Sequence, residues 1–307
     1  ADVPELKKLW IDAFRDREGF VAEFFSVLPQ IGTGYVAQTD GQILGAAYLL
    51  TGQKLVLSDG QERSVGYIYG VCVDEKGRGM GLGSELVRCA AAHAQSMETD
   101  IICTLPAEEW LYGWYERLAG LKPALYRSAE QVSAGDYIHF ETMSPGEYKK
   151  LRENTLQGKS YLSLSLPAHE FEGKLLEEYG GAYLASGTIV AAVYVEEDTA
   201  IIRELEGVCG EERLRAAASI AHKLGAERAM LYSASEKGEK YMTTLYIVRH
   251  GEPIYVTDSL TEHGQKQAEA LADRFAVNGL DRIFSSPMGR AKATAKPTAD
   301  RLGLNIK

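Results

Sequence analysis

The stretch that most constrains this 307-residue chain is residues 71–94, VCVDEKGRGMGLGSELVRCAAAHA. The apolar run at residues 67–73 predicts a β-strand, residues 77–83 form a glycine-rich turn, and Ser84 opens a segment of good helix formers. A strand, a glycine loop and a helix start in this order bring several backbone amides together at the positive end of a helix. The sequence therefore predicts a cradle for an anion, and a phosphate group suits it.

The spacing of the glycines limits which phosphate ligand fits this cradle. A Walker loop requires a Lys that is missing here, and a dinucleotide fingerprint has the spacing Gly-x-Gly-x-x-Gly after the first strand of its fold. This chain instead has Arg-x-x-Gly-x-Gly, at Arg78, Gly81 and Gly83, after a strand in mid-domain. That order resembles the acetyl-CoA pyrophosphate loop of the GNAT acetyltransferases. A plain glycine turn between a strand and a helix is the alternative.

The surrounding sequence extends the resemblance over residues 1–127. Apolar residues at helical spacing predict a first helix over residues 3–14, and the Asp40-Gly41 turn predicts a β-hairpin. Residues 101–105 predict a buried strand, and the helix after it ends in Tyr-Glu-Arg-Leu-Ala-Gly-Leu (residues 115–121), similar to the closing signature of the GNAT family. The implied fold is a mixed α/β structure.

The resemblance implies roles for individual residues. The pyrophosphate of CoA would be held by the loop amides of Arg78, Gly79, Met80, Gly81, Leu82, Gly83 and Ser84, and the pantetheine arm by the backbone of Val71, Cys72 and Val73. Tyr115 matches the tyrosine that protonates the departing thiolate, although an aromatic ring that only packs a helix end is the alternative. The general base stays open among Glu108, Glu109, Asp74 and a group elsewhere.

Residues 128–241 repeat this layout with weaker motifs. Three strand-like runs, a helix over residues 211–223 and a strand over residues 229–232 follow one another in the order expected of a second GNAT-like unit. The loop of this unit, residues 206–212, contains no Arg and has Glu206, Glu211 and Glu212 where an anion would bind. Because like charges repel, we expect a degenerate copy without a cofactor. Two such halves in tandem are expected to pack against each other.

A third set of motifs begins at Met242. A strand-like run at residues 244–248 precedes Arg249-His250-Gly251-Glu252, and Leu-Thr-x-x-Gly-x-x-Gln-Ala and Ser-Ser-Pro-x-x-Arg-Ala-x-x-Thr-Ala follow in order. Together these motifs resemble the histidine phosphatases, a family related to phosphoglycerate mutases. The resemblance implies that His250 accepts the phosphoryl group and that Arg249 and Arg290 donate to its oxygens.

Residues 242–307 are shorter than the family fold requires. The later carboxylic acid and the second His of the phosphate pocket have no match in them. We therefore expect a partial three-layer α/β segment without phosphatase turnover. A natural fusion, a truncation and a remnant all remain open as its origin.

Charge and cysteine usage limit the partners and the compartment. Residues 1–241 contain 24 Lys and Arg against 36 Asp and Glu, a balance that disfavours nucleic acid and favours a cationic amine acceptor, small molecule or peptide, although an acidic surface also serves solubility. The four cysteines, at residues 72, 89, 103 and 209, form no metal-ligand pattern. Cys72 and Cys103 in strands and Cys89 on a helix are expected to be small buried apolar residues, so a reducing cytoplasm is expected. No membrane span or signal peptide is visible, no metal is expected, and the oligomeric state is not indicated.

Three functions from different classes are consistent with these motifs. The first is an acetyl-CoA-dependent N-acetyltransferase that transfers its acetyl group to a primary amine by direct attack on the thioester. The second is a non-catalytic CoA-binding module. The third is a phosphohydrolase, or a bifunctional protein, that acts through a phosphohistidine at His250. The intact glycine loop and Tyr115 favour the first function.

Overall fold

The computed structural model describes residues 3–235, 239–246, 250–278, 283 and 285–306. Two helices open the chain, α1 (Val3–Phe14) and α2 (Glu18–Ile31), and an antiparallel meander follows, β1 (Gly32–Thr39), β2 (Gln42–Val56) and β3 (Glu62–Val73). The turn between β1 and β2 is at Asp40 and Gly41, both with positive φ, so the predicted hairpin is confirmed.

The remainder of the first half carries the predicted loop and helices. A short 3₁₀ turn (Glu75–Gly77) leads to α3 (Leu82–Ser96), β4 (Ile101–Thr104), α4 (Glu109–Ala119) and β5 (Lys122–Ser133). Helix α3 connects β3 to β4, which lie parallel and adjacent in the sheet. The strand, loop and helix order predicted from residues 67–94 is confirmed.

The second half repeats this order. It consists of β6 (Glu141–Thr142), α5 (Pro145–Thr155), β7 (Tyr161–Ser163), α6 (Leu166–Glu178), β8 (Ala182–Ser186), β9 (Ile189–Glu196), β10 (Thr199–Glu206), α7 (Gly210–Lys223) and β11 (Arg228–Ser235). Ser144 begins α5 through a capping box with Glu147, and Pro145 occupies the first helical turn. Strands β8, β9 and β10 form an antiparallel meander, and α7 connects β10 to the parallel strand β11.

One mixed sheet joins the two halves. Its strand order is β1-β2-β3-β4-β12-β5-β11-β10-β9-β8-β6, where β12 is Glu239–Tyr246. Strand β5 pairs with β11 along residues 126–133 and with β12 along residues 122–127, so the boundary drawn between residues 127 and 128 falls inside a strand that both halves use. The mixed α/β fold predicted from the sequence is confirmed.

Helices cover both faces of the sheet. On one face of the first half, α1 and α2 bury an aromatic cluster centred on Trp10 and Phe24, and on the other face α3 and α4 cover Leu49, Ile68 and Ile102. Phe171 of α6 packs against Phe24, and β7 pairs with β2, so the halves pack together as expected.

A mostly buried ion pair between Arg152 and Glu204 connects helix α5 and strand β10 to strand β7. The Arg152 Nε donates to both carboxylate oxygens of Glu204, at 2.9 and 2.7 Å, and Tyr148 donates to the same carboxylate at 2.6 Å. A second nitrogen of Arg152 donates to the carbonyl oxygen of Leu162, which lies in β7. The ion pair therefore links β10 and α5 to β7, which is the strand that pairs with β2 of the first half.

Two of the cysteine predictions are confirmed and one is wrong. Cys72 and Cys103 are buried, and burial raises the pKa of both thiols to about 12. Cys89 was expected to be buried, but it lies on the exposed side of α3. A helix turns part of its surface to solvent, and the residues alone do not fix which part.

The chain consists of two compact units, with the boundary between Ile247 and Val248. In the second unit, a short hairpin of β13 (Pro253–Ile254) and β14 (Ser259–Leu260) precedes helices α8 (Glu262–Asn278) and α9 (Gly289–Leu302). The strand predicted at residues 244–248 continues the sheet of the first unit through Tyr246, and its last two residues lie outside the described ranges. Among the described residues, no helix combines the length and the apolar character needed to cross a membrane.

Candidate active site

Strands β3 and β4 separate at the centre of the first half. Their pairing covers residues 65–67 and 101–103, and beyond it the register of β3 against β2 shifts at a bulge that contains Gly70. The φ of Gly70 is +58°, a conformation that favours glycine. Past the bulge, Val71 packs towards α3 and α4, whereas Cys72 is buried against α1 and α2. Among the described residues, β3 has no paired strand on its β4 side beyond residue 67, so the backbone edge of residues 71–73 is unpaired there. The resemblance assigns this unpaired edge, which we call the groove, to pantetheine.

The sequence analysis missed the bulge at Gly70, although a signal for it was present. A glycine inside an otherwise apolar strand indicates a bulge or a close backbone approach. A Cβ at this position would lie 2.7 Å from the Trp10 ring and 3.0 Å from the Tyr48 ring. Packing of these two aromatic side chains therefore adds a second reason for glycine at residue 70.

The glycine loop forms a turn in which only some amides are paired: those of Arg78 and Met80 donate to the carbonyl oxygens of Glu75 and Gly77. Gly79 and Gly81 both have a φ of +79°, and Gly81 begins α3 without a side-chain cap. Five other amides at the loop and the helix start have no acceptor within the described part of the chain. They belong to Gly79, Gly81, Leu82, Gly83 and Ser84. Unpaired amides at the start of a 15-residue helix are an anion-binding arrangement.

The side chains of the loop leave this arrangement open. Arg78 and Met80 are exposed, and the nearest acid to the Arg78 guanidinium is Glu75, at 3.9 Å. A Cβ at Gly79 or Gly81 would meet no atom within 4 Å. Glycine is therefore required at both positions by the backbone conformation rather than by crowding.

Tyr115 lies in α4 beside the groove. It is 5% exposed, and it packs in the core that includes Ile68, Val71 and Trp114. Thr104, the last residue of β4, donates to the Ile68 carbonyl oxygen at 2.9 Å. Burial raises the pKa of the Tyr115 hydroxyl, and a hydrogen bond with the Thr104 side chain offsets part of that rise. A neutral proton donor is therefore present at the point where the strands separate.

The candidate bases Asp74 and Glu108 accept local hydrogen bonds. Asp74 accepts a hydrogen bond from the amide of Lys76 and so begins the 3₁₀ turn. Glu108 accepts a hydrogen bond from the indole nitrogen of Trp110. Glu109 begins α4 and is exposed. None of these contacts assigns the base, which stays open.

The second half has a separation and a bulge at corresponding positions. Strands β10 and β11 pair only along residues 199–202 and 228–231, and β10 has a bulge at Arg203. Here, however, the side chain of Arg213 in α7 bonds to both strands. It donates to the Leu205 carbonyl oxygen of β10 at 2.9 Å and to the Ser233 hydroxyl of β11 at 3.2 Å. An arginine side chain therefore occupies the position where the first half has its groove. This contact supports the interpretation of a degenerate copy.

In the second unit, two of the three phosphatase-like residues flank one tyrosine. The Arg290 guanidinium lies 5.4 Å from the centre of the Tyr255 ring, and the His250 ring lies 6.4 Å from it. Arg290 also donates to Asp258 at 2.6 Å, and the Nδ1 of His250 lies 2.9 Å from the carbonyl oxygen of Gly251. Arg249 lies outside the described residues.

The first part of the chain matches a family of known proteins. Residues 3–121 match the model of the acetyltransferase (GNAT) family. The structure of a probable N-acyltransferase from Enterococcus faecalis V583 aligns with 80% of this chain over 70% of its own length, with a TM-score of 0.60 and 13% sequence identity. The structure of Eis1 from Mycobacterium abscessus aligns with 94% of this chain over 77% of its own length, with a TM-score of 0.56 and 10% sequence identity. Residues 3–121 thus match the GNAT family, and both neighbours share the fold of this chain.

The end of the chain matches a different family. Residues 245–307 match the model of the histidine phosphatase superfamily, branch 1. The probable phosphoglycerate mutase GpmB of Yersinia pestis is 40% identical over 74 residues, which are 21% of this chain and 34% of that protein. The chain therefore spans about a third of the length of the curated relatives it matches. Both families named from the sequence motifs are confirmed.

Proposed function

We propose that the chain is an N-acetyltransferase that uses acetyl-CoA as cosubstrate and a primary amine as acceptor. The observation that carries this proposal is the set of unpaired amides of Gly79, Gly81, Leu82, Gly83 and Ser84, which follows residues 71–73 in the chain, while Val71 packs in the same cluster as Tyr115. A pyrophosphate at these amides and a pantetheine arm along residues 71–73 would bring a thioester close to the tyrosine. The GNAT family of the domain supports the same reaction class.

Each residue has a defined part in this mechanism. When bound, acetyl-CoA supplies an activated acetyl group. The free backbone of residues 71–73 orients the arm, and the low-dielectric core around Tyr115 excludes water. Tyr115 carries its proton at neutral pH, as a tyrosine of ordinary pKa also does, and burial raises that pKa further. It gives the proton to the sulfur as the carbon–sulfur bond breaks. The amine loses a proton to a base that stays unassigned.

The acceptor is proposed to be a cationic small molecule or peptide. The excess of acidic residues in the first 241 residues supports this class through long-range attraction, and the same excess disfavours nucleic acid. A non-catalytic CoA-binding module differs in one measurable respect. It would bind acetyl-CoA without any transfer that depends on Tyr115.

Calorimetric titration of acetyl-CoA into the wild-type chain and the Gly81→Glu variant tests the cradle. We expect one site in the wild type and an affinity at least ten-fold weaker in the variant, because a carboxylate would face the pyrophosphate. Gly60→Glu is the matched control, since Gly60 has a similar φ of +83° and equally open surroundings. Equal affinities in both variants would refute the assignment of the loop.

For the second unit we infer a phosphate-binding role centred on His250. The contacts of His250 and Arg290 with Tyr255 favour it, and the family of the segment supports it. Phosphorus NMR of the chain after incubation with a phosphate donor tests this role. A phosphohistidine signal that disappears in His250→Ala supports it, and an absent signal in the wild type contradicts it.

A further inference from the structure

The most exposed tryptophan of the chain lies at the start of α4. Trp110 is 64% exposed, whereas Trp10 is 1% exposed and Trp114 is half-buried. The indole nitrogen of Trp110 donates to Glu108, which fixes the edge of the ring near the helix start. Tryptophan side chains are usually buried, so an exposed indole ring that is fixed in position is unusual. Such a ring offers a flat surface on which a ligand can stack.

The topology of the sheet places this ring beside the glycine loop. Because β3 and β4 are parallel, the residues that follow them emerge at the same edge, and α4 begins there and runs back along the sheet. One turn into α4, Trp114 packs against the loop, since a Cβ on Gly83 would lie 3.8 Å from its ring. Trp110 lies on the same side of the helix, about 6 Å further out.

The order of groups in CoA decides which part would meet Trp110. The pantetheine arm runs inward from the pyrophosphate along residues 71–73, so the adenosine on the other side of the pyrophosphate must lie outward. Glu108 and Glu109 beside the ring disfavour a further phosphate there by charge repulsion. A neutral purine base is the part of the ligand that fits this position.

We propose that Trp110 is the stacking platform for the adenine of CoA, and that it selects the complete cosubstrate over shorter pantetheine thioesters. This inference rests on the proposed function. Base stacking on an aromatic side chain is strong enough to change affinity by about ten-fold. Phe or Tyr at residue 110 would preserve most of it, whereas Ala would not.

The test compares two ligands, acetyl-CoA and acetyl-phosphopantetheine, which has the arm and one phosphate but no adenosine. Calorimetric affinities are measured for the wild type, Trp110→Ala, Trp110→Phe and a control, Tyr137→Ala, which removes an aromatic ring of similar exposure (66%) from the second half. We expect Trp110→Ala to weaken acetyl-CoA binding about ten-fold and to leave acetyl-phosphopantetheine binding unchanged. Trp110→Phe and the control should stay within about two-fold of the wild type.

The other outcomes are distinguishable. Unchanged acetyl-CoA affinity in Trp110→Ala, or an equal loss for both ligands, overturns the stacking role while the proposed function stands. Wild-type protein that binds neither ligand overturns the proposed function and the stacking role together. Circular dichroism of each variant shows whether a loss of affinity comes from unfolding, and the retained binding of acetyl-phosphopantetheine is an independent check of the fold.

Discussion

At the scale of single residues, the candidate site depends on a few glycines and one buried tyrosine. Gly79 and Gly81 set the backbone of the loop through positive φ, and Gly70 allows the bulge in the pairing of β3 with β2. The sequence indicated the loop glycines and Tyr115 directly. It did not indicate that Trp10 and Tyr48 pack onto Gly70, because those contacts join residues 60 and 22 positions away.

Replacing Tyr115 with Phe tests its role as proton donor. We expect kcat to fall about 100-fold, because the thiolate would leave without general-acid assistance, and KM for acetyl-CoA to change little. Burial raises the pKa of Tyr115 above its ordinary value of 10.0, so the wild-type rate should show no alkaline loss from this group below about pH 10. Initial rates over pH 6–10 measure both effects.

Tyr112→Phe is the matched control for this prediction. Tyr112 is a second buried tyrosine of α4, one turn before Tyr115. We expect this variant to retain activity within a few-fold of the wild type. Equal losses in the two variants would indicate that the hydroxyl groups act through the packing of α4 and would contradict proton donation.

At the scale of elements, the bulge of β3 at Gly70 shifts the register of β3 against β2. Gly70→Ala should destabilise the fold by about 2–4 kcal/mol, which combines a strained φ with a Cβ pressed against two aromatic rings. Gly187→Ala isolates the first effect, since Gly187 has the same φ of +58° and no atom within 4 Å of an added Cβ. Urea unfolding of both variants measures the difference, and equal losses would refute the packing contribution.

The contact of β10 with β7 through Arg152 and Glu204 predicts a pH dependence. Burial alone would raise the pKa of Glu204, but hydrogen bonding and charge from Arg152, together with the Tyr148 hydroxyl, outweigh it and hold the pKa below its usual 4.5. The stabilisation is therefore complete above about pH 4.5 and is lost as the pH falls through the lower pKa of the folded state.

Glu204→Gln measures this contribution. The substitution leaves Arg152 mostly buried without a counter-charge, so we expect a loss of about 3 kcal/mol at pH 7. The difference in unfolding free energy between wild type and variant should shrink as the pH falls below 4.5. A difference that stays constant down to pH 3 would show that the charge of Glu204 is not its source.

At the scale of the whole molecule, two similar halves share one sheet, but only the first has an open groove. In the second half, Arg213 fills the corresponding position, and Glu206 is paired with Lys159. We therefore expect one acetyl-CoA per chain, and Glu206→Arg should not add a second site. Calorimetric stoichiometry checks this, and a value of two sites in the variant would contradict the interpretation of a degenerate copy.

Local interactions explain what the sequence determined by itself. The loop at residues 77–83 and the hairpin at Asp40-Gly41 depend on φ preferences and hydrogen bonds among residues close in the chain, so their patterns were sufficient. The same applies to the motifs that named the two families.

Only the tertiary structure decided how these elements combine. Strand β12 (Glu239–Tyr246) inserts between β4 and β5, although residues 244–248 were expected to begin the phosphatase-like segment. The sharing of β5 between the halves, the packing onto Gly70 and the contact of Arg213 with Ser233 likewise join residues that are distant in the chain. Strand propensity states that a segment will pair, and the partner is chosen by packing and register among all available edges, which no local pattern encodes.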